Sequence, residues 1–127
     1  MESNWSDIKI LIVEDIESSI LFFTSAIKRT GATILTAVNG KEAIEAVKNN
    51  PDIDIILMDI HMPEMNGLEA TSTIKSINPN ISIIIQTAYV MDYSAEVCIK
   101  AGCDTYIVKP VNIDTLFKSI NDLIKKK

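Results

Sequence analysis

Asp59 closes an apolar run in DIDIILMDIHMPEMNG, residues 52–67, where a carboxylate is costly unless something pairs with it. The same pattern occurs earlier: IKILIVED, residues 8–15, ends on Glu14 and Asp15. Two more polar groups follow apolar runs, Thr87 after ISIIIQ and Lys109 after TYIV. Brought together, three carboxylates repel one another by roughly 3 kcal/mol per pair, at about 5 Å and an effective dielectric near 20. Such a cluster must protonate or recruit a cation. Lys109 supplies one positive charge and leaves about two negative charges over, which a divalent ion would close. Oxygen donors alone favour a hard ion such as Mg²⁺, with Mn²⁺ as a substitute. A single Asp after a strand is usually a turn or cap residue; the set of five points to chemistry.

The elements that must position this set are legible as alternating patterns. Short Ile- and Val-rich runs at Ile8–Val13, Thr33–Ala37, Ile53–Met58, Ile81–Gln86 and Thr105–Val108 predict strands. They are continuous rather than alternating, as parallel strands covered on both faces should be. Helix-period segments lie between them. Ile16, Ile20, Phe23 and Ile27 share a face of the first, which should end near Gly31. Asn39 with Glu42, and Asn66 with Glu69, have cap spacing for the second and third. A fourth, over about Ser94–Lys100, has poor periodicity, whereas Ile113, Leu116, Ile120 and Leu123 form one stripe on the fifth. Five strands alternating with five helices make a doubly wound α/β sheet. In such a sheet all C-terminal strand ends share one edge, where ligands bind. The acids, Thr87 and Lys109 all belong to that edge.

Composition bounds the rest. The 127 residues suit one domain, 1–127 with a core over about 8–124, and 47% hydrophobic content supports that core. A net charge of −5 argues against direct DNA binding, and the terminal Lys125–Lys127 run is too local to reverse it. Neither a membrane-length apolar run nor a secretory signal is present, so the expectation is a cytoplasmic protein with no membrane contact. Cys98 and Cys103 read as reduced thiols.

In this order, LIVED, LMDIHMPEMNG, IIQTA and GCDTYIVKP resemble the motifs of response-regulator receiver domains of two-component and phosphorelay signalling, over about Ile8–Leu123. The resemblance implies a flavodoxin-like sheet of order 2-1-3-4-5, with the first and third strands side by side. It makes Asp59 the phosphoacceptor, taking a phosphoryl group from a phosphohistidine on a histidine kinase or histidine phosphotransfer protein. Glu14, Asp15, Asp59 and the backbone carbonyl of His61 would hold Mg²⁺, while Lys109 would pair with the phosphoryl oxygens. Thr87 and Tyr106 would form the switch that reshapes the face of helix four, strand five and helix five for a downstream protein target. That face is also a candidate homodimer surface. Ala88 would leave room for the phosphoryl group, and Lys109–Pro110 is a cis-peptide position in the family. Such domains promote their own phosphorylation and dephosphorylation without being conventional multiple-turnover enzymes. Two bulky residues beside the expected water path, His61 and Tyr89, are read as lengthening the phosphate lifetime. Met62–Pro63 and Gly67 should form a stiff loop, with Gly67 a candidate for positive φ.

Three other readings compete. A flavin-binding protein of this topology needs a phosphate-cradling loop after the first strand, but EDIESS opens with two acids. A phosphatase with an Asp nucleophile commonly carries two Asp separated by one residue, and Asp59-Ile60-His61 lacks the second. A receiver that has lost its chemistry would act as a phosphorylation-independent interaction module. The segment TAYVMDYSAEVCIKAGCDTYIVKP is similar to hybrid-kinase receivers and their single-domain relatives, and the expectation leans to a receiver taken from a hybrid kinase.

Overall fold

The computed structural model describes residues 4–60, 62, 65–87 and 95–125. Strands β1 (Lys9–Val13), β2 (Thr33–Ala37), β3 (Ile55–Asp59), β4 (Ser82–Thr87) and β5 (Thr105–Val108) alternate with five helices. These are α1 (Glu17–Lys28), α2 (Gly40–Asn49), α3 (Gly67–Ile77), α4 (Ala95–Ala101) and α5 (Ile113–Lys125). The strands pair in parallel in the order β2-β1-β3-β4-β5, which places β1 and β3 side by side. The fold is the expected flavodoxin-like, doubly wound one.

Alternate strand residues face opposite ways, so a continuous apolar run requires a layer on each side. Leu11, Val13, Ile56, Met58, Ile83 and Ile85 pack on one face with Ala43 and Val47 of α2 and Ala70 and Ile74 of α3. Ile10, Ile12, Ile55, Leu57 and Ile84 pack on the other with Phe23 and Ile27 of α1 and Leu116 and Ile120 of α5. Each such side chain contributes about 1.5–3 kcal/mol by leaving water. That packing makes the strand ends a rigid base.

Two strand ends fall one residue later than the apolar runs suggest. Asp59 is the last residue of β3, in register with Gln86, and Thr87 is the last of β4, in register with Val108. Both polar side chains therefore stand on ladder-bonded backbone, not on loops. The first helix needs a correction too. Ile16 precedes it in extended conformation and is 52% exposed, outside the buried stripe of Phe23 and Ile27. Its N–H points back to Glu14 Oε1, at 3.4 Å, which keeps the chain extended past the strand.

The caps are as the spacing predicts. Asn39 Oδ1 accepts from Glu42 N at 2.8 Å, and Asn66 Oδ1 accepts from Glu69 N at 3.0 Å. Gly67 is not among the positive-φ glycines. Its constraint is space: a Cβ there would lie 2.3 Å from the carbonyl oxygen of Asp59. The weak periodicity of α4 is explained by Val97 and Ile99, which are exposed, while Cys98 faces inward. Cys98 and Cys103 are free and buried, joined by a 3.2 Å backbone bond from Cys103 N to Cys98 O. Burial, with Cys98 and Asp104 alongside, pushes the Cys103 thiol up to about 12.

Candidate functional site

Glu14 continues β1 by one residue, its N–H donating to Ala37 O at 3.0 Å. Its side chain is fully buried, whereas that of Asp15 is exposed. β3 delivers Asp59 beside them, 1% exposed. One carboxylate oxygen from each of Glu14, Asp15 and Asp59 can be chosen so that all lie within 4.8 Å of one another. The sheet thus assembles the acidic cluster that strand adjacency implies.

Lys109 comes from the residue after β5, and its N–H donates to Thr87 O at 2.8 Å. Its ammonium donates to Asp59 Oδ1 at 3.0 Å, and its side chain is 28% exposed. The Lys109–Pro110 peptide is cis. Thr87 is fully buried. Tyr106 pairs in register with Ile85 and packs half-buried against the α2–α3 side of the core. His61, Pro63, Ala88, Tyr89 and Ser94 lie outside the described residues.

One positive charge does not neutralise three acids, and the protein registers the imbalance on Glu14. Burial and the neighbouring Asp59 carboxylate push its carboxyl up to about 7, against the opposing pulls of Lys109 and the Ile16 N–H. A buried carboxyl whose charge is disfavoured by another carboxylate fits a divalent cation held by oxygens. The donor set contains no nitrogen or sulfur, so a hard ion suits it best.

Gln86, which ends an apolar run and lies within IIQTA with no role assigned to it above, also enters the site. It is 1% exposed, and its Nε2 donates to Glu14 Oε2 at 3.3 Å. Its signal was present: an amide in a run covered on both faces must have a buried partner. The partner is 72 residues away in the chain and becomes visible only once the strands are ordered. Beside it lies a cavity of about 260 Å³, lined by Ser18, Ser19, Phe22, Gln86, Lys109 and Val111 among others.

This geometry agrees with the comparisons. Residues 10–121 match the response regulator receiver domain family. The chain belongs to that family. Chemotaxis protein CheY of Thermotoga maritima is 36% identical over 92% of this chain and 98% of its own length. A cyclic di-GMP phosphodiesterase of the same organism is 32% identical over 93% of this chain, which spans only 31% of that relative. Among solved structures, the CheX–CheY–BeF3–Mg²⁺ complex of Borrelia burgdorferi contains a chain of TM-score 0.88 and 29% identity, covering 96% of this chain and 95% of that one.

Proposed function

We propose that the chain, as a single receiver domain with its core over about 8–124, accepts a phosphoryl group on Asp59 in a divalent-cation-dependent reaction. The observation that carries this reading is the cluster of Glu14, Asp15 and Asp59 oxygens within 4.8 Å, with the Lys109 ammonium 3.0 Å from Asp59. In the step, a carboxylate oxygen of Asp59 forms a bond to phosphorus as the bond to a partner's histidine nitrogen breaks, its electron pair returning to the imidazole. An ionised carboxylate needs no base to activate it. Phosphoryl transfer depends mainly on positioning and charge stabilisation, and here strand ends supply the positioning.

Glu14, Asp15, Asp59 and the His61 carbonyl would hold Mg²⁺ or Mn²⁺. The bound ion would neutralise charge on the phosphoryl oxygens. Lys109 would move its hydrogen bond from the Asp59 carboxylate to the new oxygens, and Thr87 would donate its hydroxyl to another. Withdrawal of Thr87 would let Tyr106 turn inward and change the α4–β5–α5 face presented to a downstream protein. The donor would be a histidine kinase or a histidine phosphotransfer protein. The Borrelia complex, which holds BeF3 and Mg²⁺ together, supports the pairing of a phosphoryl-sized group with a cation.

Intact mass after treatment with a small phosphodonor tests this. Wild type should gain one phosphoryl group with Mg²⁺ and none in EDTA, and Asp59→Asn should gain none in either. Absence of uptake by folded wild type, including from a phosphorylated partner, would leave a phosphorylation-independent interaction module.

A further inference from the structure

We propose that Gln86 is a positioning residue for the divalent-cation site, orienting the Glu14 carboxylate through its side-chain amide; this rests on the metal-dependent reading above. The Glu14 carboxylate is held by one donor on each oxygen: Ile16 N at 3.4 Å on Oε1 and Gln86 Nε2 at 3.3 Å on Oε2. The first comes from the segment leading into α1 and the second from β4, so together they fix the plane of the carboxylate. An ionised carboxylate can only accept. With a cation bound, Glu14 is ionised, and the amide then turns its NH₂ toward it and its carbonyl away.

That carbonyl is the second observation. Gln86 Oε1 is buried and has no hydrogen-bond donor among the described residues. An unsatisfied buried acceptor is destabilising, and Leu or Met would fill a β4 position without that cost. The polar residue is kept because the NH₂ end of the same amide holds Glu14.

Gln86 is also tied to the acceptor strand. It stands opposite Asp59 in the sheet register, and its backbone carbonyl accepts from Ile60 N at 3.3 Å. The residue after it is Thr87. One residue thus joins the backbone beside Asp59, the side chain of Glu14 and the strand end bearing Thr87.

Titration of unphosphorylated protein with MgCl₂, followed by calorimetry, tests the role. Partners that orient metal ligands typically matter about 10–100-fold in affinity. Gln86→Met and Gln86→Leu should each bind Mg²⁺ about tenfold more weakly, while melting in EDTA at the wild-type temperature or above it. In wild type, the side-chain amide signal of Gln86 in a nitrogen-15 spectrum should move with the same midpoint as the backbone amide of Asp59. Variants that keep wild-type affinity, or an amide signal that ignores MgCl₂, would overturn the role of Gln86 alone. The amide signal decides the matter even if both variants fail to fold. Wild type that binds no Mg²⁺ would remove the metal-dependent reading and this inference together.

Discussion

Glu14 and Asp15 are neighbours in sequence with opposite surroundings. Asp15 meets solvent, while Glu14 is sealed between β1 and its neighbours and its carboxyl is raised from 4.5 to about 7, mainly by burial and then by Asp59. The sign of the consequence follows from proton counting. Between pH 4.5 and about 7 the folded chain keeps a proton on Glu14 that the unfolded chain has released. Its contribution to stability is therefore complete below pH 4.5 and is lost as pH rises through about 7. Glu14→Gln removes this dependence. In EDTA, the melting temperature of wild type relative to Glu14→Gln should fall across that window and level off above it. A flat difference would contradict the environment described for Glu14. On the proposed metal-dependent reading, added MgCl₂ should reverse the trend, because a cation at Glu14 would compete with that proton and bind more tightly as pH rises.

At the scale of elements, the site depends on how closely α3 approaches β3. The Gly67 N–H donates to Ile60 O at 2.9 Å, and an added Cβ would lie 2.3 Å from the Asp59 carbonyl oxygen and 2.9 Å from Ile60 Cα. These are backbone atoms and cannot rotate aside. Gly67→Ala should cost about 3 kcal/mol, read as a lower denaturant midpoint, and should slow phosphoryl uptake by shifting Asp59. Asn66→Ala, one residue earlier, removes only a cap and should cost about 1 kcal/mol with uptake retained. The sequence named this glycine but assigned it the wrong constraint. Positive φ is a local property that turn patterns suggest, whereas clearance against another strand belongs to the assembled layers. Gln86 was missed for the same reason. Alternation of patterns was enough for the elements and for the five residues at their ends. It was not enough for the depth of Glu14, the exposure of Ile16 or any contact spanning two elements.

For the molecule as a whole, the parallel sheet divides labour between its two edges. Glu14, Asp59, Thr87 and Lys109 stand at the C-terminal ends of strands. The opposite edge carries connections that hold the layers. Lys75 Nζ donates to Asp104 Oδ2 at 2.8 Å and to Ile81 O at 2.6 Å, and Ile83 N donates to the same Asp104 oxygen at 2.7 Å. Lys9 N donates to Asp54 Oδ2 at 2.8 Å. Trp5 precedes β1 and is buried there, its indole N–H donating to Asn121 Oδ1 at 2.9 Å and its ring 4.8 Å from that of Phe117. Its emission is suited to following global unfolding, since its contacts lie with α5 and away from the acids.

The paired thiols of Cys98 and Cys103 give this chain an internal clock for α4. A thiol reagent needs both access and a thiolate, and burial withholds both, with Cys98 0% and Cys103 6% exposed. Reaction must then wait for a local opening, and its rate counts how often α4 lifts from the sheet. No label has to be introduced. Phosphorylated and unphosphorylated protein, mixed with a chromogenic disulfide and followed by absorbance, should release colour at different rates if Asp59 governs the seating of α4. Equal rates would place the response of the domain elsewhere on its surface.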